Sequence, residues 1–575
     1  MSLAFVTDAV AFFQAPVKSL VHLGWIDITV IAIYFAMVIY IGFYLKGTSN
    51  TSEEFFMAGR EMTAWIAGLS FVSANLGSLE LMGWAGSAYQ YGILATHWYW
   101  IGAIPAMLFL GIIMMPFYYI SKVNSVPGYL ALRFGDGTRG LSAICFALMT
   151  VLMSGVNMYA MAVVMKVVLG WNLNFSIWVS SITVAIYVAL GGLRSAIFNE
   201  VLQFLLIWLG ALLIPILGLI EAGGWTNLKH QIAARMGNSD YTHLWSTTAH
   251  FRDNPMGIHW TGLVFGLGIV ISFGYWTTDF LVVQRVLSAH NLRAARMSPI
   301  IGAGFKMMVP FIVILPGLLA LSVLPYHLVG EAQAAITGQH SYNEVLPLML
   351  VRYCGPGLLG LGVTALIAGF MSGMAGNVSA FATVWTYDIY GAFINKKASD
   401  SHYVSMGRWC TFGGVIISVV TAYMVRHAAS IMDYVQALFS FFIAPLFGTV
   451  ILGMLWKRAT KAGGFWGLLS GTCTAIGLWL WVEHDPTALR YVALSADAKA
   501  MAADMYRALW SWLVCVIVTV VVSLATAPKP DSELAGLVYG ATRLPEEHDD
   551  HWYQKPVFWA SLIAVIFVGL NIIFW

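Results

Sequence analysis

The stretch Ser70-Phe-Val-Ser-Ala-Asn-Leu-Gly-Ser-Leu-Glu-Leu-Met-Gly83 lies inside an apolar segment that is long enough to cross a bilayer. Within about three helical turns it holds a cluster of small or polar residues: Ser73, Asn75, Gly77, Ser78, Glu80 and Gly83. A helix that only anchors the protein in the membrane does not require such residues. Glycine allows a helix to unwind, and the freed carbonyls and polar side chains then line a cavity. The stretch therefore predicts a broken helix that binds the substrate and the ion of a secondary transporter.

The composition is that of an all-α polytopic membrane protein. Of the 575 residues, 59% are hydrophobic and 10% are charged, and the mean hydropathy is +0.77, whereas soluble domains carry about 25% charged residues. The net charge of +2 gives no basic field that would attract nucleic acid. The five cysteines form no CxxC pair, so we expect neither a disulfide framework nor a zinc site. The N-terminus, with Asp8, Gln14 and Lys18, lacks the pattern of a cleaved signal peptide.

Fourteen segments approach the length of about 20 apolar residues that a spanning helix needs. They lie near 25–45, 64–91, 97–120, 140–168, 174–191, 196–220, 258–281, 299–325, 357–387, 407–425, 431–455, 463–482, 507–526 and 556–575. The loops between them are short for folded domains. We therefore expect a single transmembrane domain over residues 1–575.

The second and seventh segments carry polar interruptions, at 70–83 and at 269–279, and they lie five segments apart. Interruptions at matching positions are typical of an inverted repeat of five plus five helices. We therefore expect repeats at about 64–220 and 258–455. One peripheral helix would precede the repeats and three would follow them: about 25–45, 463–482, 507–526 and 556–575.

Lysine and arginine in short loops mark the cytoplasmic side of a membrane protein. Their distribution favours an N-terminus outside the cytoplasm, and an even number of helices returns the C-terminus to the same side. We expect a multi-pass protein of the plasma membrane, or of the inner membrane in a bacterium.

Ionisable residues inside apolar segments require a reason, because a charge in mid-membrane costs at least about 2.5–3.5 kcal/mol. Glu80 and Lys306 form either a structural ion pair or direct contacts to a substrate. Asp279 and Arg285 lie near the inner end of the seventh segment, where a structural gate pair is favoured over substrate contact. Two aspartates are expected at helix ends, as caps or interfacial groups: Asp388 and Asp433.

The ninth segment is rich in glycine, alanine and serine over residues 366–380. Such a face allows close helix packing, and unwound carbonyls with serine hydroxyls also suit a dehydrated sodium ion. Both interpretations can hold together. Tyr275 and Trp276 lie beside the polar break of the seventh segment, where a flat indole suits the face of a sugar or another small solute.

Several motifs resemble the sodium/solute symporter family, and its sodium/glucose cotransporter branch in particular, over about residues 20–575. They are Phe55–Arg60, Ser73–Ser78 with Gly83–Gly86, Tyr275–Asp279 with Gln284 and Arg285, Tyr387–Tyr390, and Trp456–Arg458 with Gly464–Gly467. The resemblance implies a LeuT-like fold of two inverted five-helix repeats, sodium coupling and alternating access.

Individual positions match functional positions of that branch. The substrate-side matches are Asn75, Lys306, Trp276 and, as the inner gate, Tyr275. The sodium-site matches are the carbonyls of Ser73, Leu76 and Gly369, the hydroxyl of Ser372, and the acidic residue Glu200, which is usually an aspartate.

The chain also departs from the branch. Gly373 stands where a second serine is usual, so one hydroxyl ligand is missing. Glu80 replaces a glutamine or histidine, and Ile443 stands where a glutamine bonds the sugar. The branch's glutamate on the next helix falls within 97–100, where Tyr99 is the candidate for a substrate contact.

The sequence thus predicts a sodium-coupled symporter that imports a small polar solute, most plausibly a sugar or polyol. One alternative keeps the fold and carries an amino acid, a carboxylate or another metabolite. Another is an uncoupled facilitator or a transporter-like sensor. No HExxH, GxSxG or paired-aspartate motif points to an enzyme. The expected partners are the solute, sodium and the lipid bilayer.

Overall fold

The computed structural model describes residues 23–45, 51–237, 240–325, 327–425, 430–542 and 551–575. These residues are mainly helical, and their only β pairings are two isolated bridges. The expectation about a signal peptide concerns residues that lie outside the described ones.

The first half of the chain contains α1 Trp25–Leu45, α2 Ser52–Met57, α3 Ala64–Asn75, α4 Ser78–Tyr91, α5 Ile104–Ile120, α6 Val126–Phe134, α7 Asp136–Leu169, α8 Leu173–Ala211, α9 Leu213–Ala222, α10 Trp225–Met236, α11 Gly262–Thr278 and α12 Phe280–Leu287. The second half contains α13 Leu292–Lys306, α14 Pro310–Val323, α15 Glu331–Thr337, α16 Val345–Tyr353, α17 Leu358–Ile394, α18 Asp400–Val425, α19 Ile431–Leu455, α20 Lys461–His484, α21 Leu489–Val492, α22 Ala500–Ala525, α23 Asp531–Leu534 and α24 Pro556–Ile573.

Nine helices of the described residues are long and apolar enough to cross a membrane, or up to 12 if each bent pair counts as one span. Two shorter apolar helices, Ile104–Ile120 and Leu173–Ile182, coincide with the predicted third and fifth segments. The count of fourteen requires that both of these also cross the membrane, and it stays a prediction.

The stretch Ser70–Gly83 forms a broken helix, as predicted, and its halves α3 and α4 are bent by 56°. The Leu76 amide closes α3 by donating to the carbonyl oxygen of Ser73 at 2.9 Å. Gly77 then precedes α4 in an extended conformation, with no side-chain cap. A Cβ at Gly77 would lie 2.7 Å from Asn157 Oδ1, so glycine permits this close approach.

Two further helices are broken. α11 and α12 are bent by 50° at Asp279, inside the predicted interruption, and the Asp279 carboxylate caps α12 by accepting from the Leu281 amide at 2.9 Å. α13 and α14 are bent by 42° between Lys306 and Pro310. This third break was not predicted, although proline has no amide proton with which to continue a helix.

Arg285 pairs with Glu200 rather than with Asp279. Arg285 Nη2 lies 2.6 Å from Glu200 Oε1, and neither side chain has any exposed surface. The predicted gate pair of Asp279 and Arg285 is therefore wrong, because the break of the helix at Asp279 turns its carboxylate to the amides of α12. The ion pair instead ties α8 to α12.

Of the two aspartates expected at helix ends, Asp433 lies at one and Asp388 does not. Asp388 lies inside α17, where it accepts from Arg139 at 2.8 Å and Ser125 at 2.5 Å, so it joins helices and caps none. Asp433 lies in the first turn of α19, but the cap is Ser430, whose hydroxyl accepts from the Asp433 amide at 3.1 Å.

Candidate functional site

The three broken helices line one common cavity. Its lining includes Asn75 and Glu80 from the break between α3 and α4, Tyr275 and Trp276 from α11, and Lys306 from the end of α13. Helix breaks supply polar groups to such a cavity because the backbone N–H and C=O groups at a break are not all hydrogen-bonded within a continuous helix.

A hydrogen-bond network joins these side chains. Lys306 Nζ donates to Asn75 Oδ1 and lies 3.7 Å from Glu80 Oε2. Asn75 Nδ2 donates to the Tyr275 hydroxyl at 2.8 Å. The Tyr99 hydroxyl donates to Glu80 Oε2 at 2.6 Å. The carboxylate and the ammonium therefore balance each other inside the cavity, and neither is left without a partner.

Aromatic rings surround this pair. Lys306 Nζ lies 4.8 Å from the centre of the Tyr99 ring and 5.2 Å from that of Trp276, which are distances for cation–π attraction. Trp276 Nε1 donates to the carbonyl oxygen of Gly102 at 3.2 Å, so its indole plane is held in place. Tyr275 lines this cavity and also a smaller one beyond it that includes Gly77. Tyr275 is thus one of the residues that the two cavities share.

The candidate sodium residues meet where the break of α3 and α4 contacts α17. The Ser372 hydroxyl donates to the Ser73 carbonyl at 2.9 Å and lies 3.1 Å from the Ser73 hydroxyl. A Cβ at Gly369 would lie 3.0 Å from the Leu76 carbonyl oxygen. Close packing and an oxygen cluster therefore occur at the same place, because small residues of α17 admit the unwound backbone of the break.

A sequence model of the sodium:solute symporter family matches residues 55–471. The chain belongs to the sodium:solute symporter family. Membership implies a membrane transporter rather than an enzyme, with sodium as the coupling ion.

Curated relatives match the symporter over most of its length and over most of their own. Human sodium/glucose cotransporter 4 is 29% identical over 567 residues, which cover 94% of this chain and 82% of the relative. Sodium/glucose cotransporter 1 of Oryctolagus cuniculus is 29% identical over 559 residues, which cover 91% and 82% of the two chains. The solved structure of a Na⁺-coupled sialic acid symporter in a substrate-bound outward-open state has a TM-score of 0.71 at 20% identity. It covers 88% of this chain and 99% of the other. This likeness shows that the two share a fold.

Six of the seven predicted substrate residues of the symporter line the one cavity: Asn75, Glu80, Tyr99, Tyr275, Trp276 and Lys306. The seventh, Ile443, is fully buried elsewhere. It packs behind α11, because a Cβ at Gly274 would lie 2.5 Å from Ile443 Cγ2. Gln436, seven residues earlier in α19, lines the cavity in its place.

Gln436 is the functional candidate that the sequence reasoning missed. Its Oε1 is buried and has no hydrogen-bond partner, and the same holds for two other cavity-lining groups, Trp98 Nε1 and Ser272 Oγ. A signal existed in the sequence, since an amide in the second turn of an apolar segment is itself unusual.

Glu200 has both carboxylate oxygens engaged. Arg285 donates to Oε1 at 2.6 Å and to Oε2 at 3.2 Å, and the Ser70 hydroxyl donates to Oε2. Ser70 lies one helical turn before Ser73, so Glu200 stands next to the candidate ion residues with its charge already neutralised.

Proposed function

We propose that this symporter couples the inward movement of sodium to the uptake of a small uncharged polyhydroxy solute, a sugar or a polyol. The observation that carries the proposal is the set of three unpaired polar groups in the cavity: Gln436 Oε1, Trp98 Nε1 and Ser272 Oγ. A buried polar group without a partner costs about 1–3 kcal/mol, so a solute that supplies partners binds preferentially. Gln436 Oε1 needs a donor and the Trp98 N–H needs an acceptor. A hydroxyl provides both.

The charge of the cavity supports an uncharged solute. A carboxylate solute attracted to Lys306 would meet the carboxylate of Glu80, which already lies 3.7 Å from the ammonium. The faces of Tyr99 and Trp276 suit the C–H face of a sugar ring. The relatives named sodium/glucose cotransporters agree with this class of solute.

For sodium, we propose a site made by the carbonyl oxygens of Ser73, Leu76 and Gly369 and the hydroxyl of Ser372. An ion there would neutralise the C-terminal end of α3 and stabilise the break that holds Asn75 and Glu80 in the cavity. Glu200 would support the site indirectly, by fixing α8 against α12.

Transport would follow by alternating access between two inverted repeats, 64–220 and 258–455, within one domain of residues 1–575. The breaks of 56° in α3–α4 and 50° in α11–α12 support this proposal, because each falls in the first helix of its proposed repeat. Tyr275 would move aside to release the solute to the cytoplasm, with both chain termini on the other side of the membrane. A membrane potential of 100 mV contributes about 2.3 kcal/mol to the driving force for each positive charge that moves inward with the solute.

Uptake into proteoliposomes tests the proposal, with a panel of labelled sugars, polyols, amino acids and sugar acids and with sodium or potassium outside. We expect sodium-driven uptake of an uncharged polyhydroxy solute. Gln436→Met should raise the KM for that solute, because the Met thioether is a much weaker hydrogen-bond acceptor for a solute hydroxyl than the amide oxygen of Gln436. Gln231→Met removes the same amide from α10, outside the cavity, and should leave the KM unchanged. Uptake of amino acids or acids alone would contradict the solute class.

A further inference from the structure

The side chain of Asn157, on α7, lies against two glycines, Gly77 and Gly373, each of which directly follows a candidate sodium ligand in the chain. A Cβ at Gly77 would lie 2.7 Å from Asn157 Oδ1. A Cβ at Gly373 would lie 3.0 Å from the Gly77 Cα, 3.1 Å from the same oxygen and 3.3 Å from Nδ2. Real Cβ atoms rarely make such short contacts, so a side chain at 373 would compete with the amide of Asn157 for space and would also press on the backbone of Gly77.

Asn157 belongs to α7, and it contacts both the α3–α4 break and its own helix. Its Oδ1 accepts from the Leu79 amide at 3.3 Å, and its backbone carbonyl accepts from the Ser78 hydroxyl at 3.2 Å. Its Nδ2 donates to the Met153 carbonyl at 3.5 Å. The usual N–H···O distance is about 2.9–3.0 Å, so the amide is held by long bonds and its oxygen keeps a free lone pair.

The amide also borders open space. A small cavity is lined by Gly77, Asn157, Gly373 and Asn377, and it shares Asn75, Glu80 and Tyr275 with the cavity of Lys306. Gly77 follows directly on Leu76, and Gly373 follows directly on Ser372. The oxygen of Asn157 thus lies beside the two chain segments that carry the proposed sodium ligands.

We propose that Asn157 Oδ1 is a ligand of the coupling sodium, and that it takes the role that a side-chain hydroxyl at position 373 would otherwise have. An amide oxygen is a hard, neutral donor of the kind that alkali and alkaline-earth cations accept. Gly373 is then not a lost ligand but the residue that makes room for one from another helix. This inference rests on the proposed location of sodium between the α3–α4 break and α17.

Sodium binding to the purified full-length protein tests the inference without any transported solute. The measurement is the rise in melting temperature with NaCl, against KCl at equal ionic strength. For Asn157→Ala we expect the sodium concentration at half-maximal stabilisation to rise about tenfold or more. Adding Gly373→Ser to Asn157→Ala should restore it, because the hydroxyl enters the vacated space.

The matched control is Gly373→Ala in the same Asn157→Ala background, which fills the space with no oxygen. If it restores sodium binding as well as the serine does, Asn157 only packs, and the inference is wrong. An unchanged sodium response in Asn157→Ala, or no response in the wild-type protein, would also overturn it. If Asn157→Ala does not fold, Asn157→Asp keeps the oxygen and adds a charge. It should lower the sodium concentration needed, and no change there would contradict the inference.

The uptake panel stands apart from this measurement. A chain that binds sodium through Asn157 but carries no polyhydroxy solute would refute the proposed solute and leave the ligand intact. If the chain transports such a solute and its sodium response does not depend on residue 157, the proposed ligand is refuted and the proposed solute stands.

Discussion

Replacement of Glu80 by glutamine should change which solutes the symporter prefers. The carboxylate lies 3.7 Å from Lys306 Nζ, with 15% and 2% of the two side chains exposed. Two unit charges about 4 Å apart interact by about 4 kcal/mol at an effective dielectric constant of 20. Glutamine keeps the size and can still accept from Tyr99, so Glu80→Gln removes the charge with little change of shape.

In the variant, Lys306 is a cation whose charged partner is gone, and an anionic solute can pair with it. If a quarter to a third of the 4 kcal/mol reaches a solute carboxylate, the gain is about 1.0–1.4 kcal/mol, and 1.4 kcal/mol corresponds to a tenfold change in affinity. We therefore expect the affinity for a sugar acid, relative to the parent uncharged sugar, to rise about five- to tenfold.

The assay is competition against labelled uncharged solute in proteoliposomes, with the sugar and its uronic acid as paired inhibitors. Glu221→Gln is the matched control, because Glu221 pairs with Arg352 at 2.6 Å away from the cavity. An inhibition ratio that stays the same in Glu80→Gln would refute the idea that Glu80 and Lys306 set the charge preference of the site.

Two further predictions concern stability and use thermal unfolding of the purified protein. Glu200→Gln leaves Arg285 buried without its counter-charge, which costs about 3–5 kcal/mol, so we expect a lower melting temperature in KCl and NaCl alike. A loss confined to NaCl would instead make Glu200 a sodium ligand. Gly467→Ala puts a Cβ 1.8 Å from Thr519 Oγ1 and 2.9 Å from the Cys515 carbonyl, and overpacking of this kind costs about 1–3 kcal/mol. Gly477→Ala, on the same helix with no atom within 4 Å, should be neutral or stabilising by up to about 1 kcal/mol; equal melting temperatures for the two alanine variants would contradict the tight packing of α20 on α22.

Two of the three helix breaks could be predicted from the sequence, because each has a local signal in the residues at the break. Gly77 and Asp279 put a flexible residue and a charge inside apolar segments, and the structure breaks α3–α4 and α11–α12 there. The third break carried a signal too, in Pro310 four residues after Lys306.

Pairings between distant segments were harder to predict. The predicted pair of Asp279 and Arg285 rests on their common position near the inner end of the seventh segment, yet side chains six apart on a helix do not face each other, unlike those three or four apart. That spacing argued against the pair. The true partner, Glu200, is 85 residues away, and no periodicity links the two positions. Only the packing of α8 on α12 selects it.

The finding that Gln436 lines the cavity, and not the predicted Ile443, shows what the sequence alone could not predict. The two residues are seven apart, so on a regular helix they lie about 20° from the same face, and both positions would point into the cavity. Over Phe439–Ile443, however, the helix forms a wide turn, in which the Ala444 amide donates to the Phe439 carbonyl, five residues back rather than four. Such a wide turn holds an extra residue, and it rotates everything after Phe439 relative to Gln436. Ile443 therefore turns away from the solute and packs on Gly274, while Gln436 keeps its amide in the cavity. Nothing in Phe439-Ser-Phe-Phe-Ile443 announces this turn, because its side chains suit either helix geometry. The amide of the site was thus present in the sequence throughout, and only the backbone shows which of two equivalent positions faces the solute.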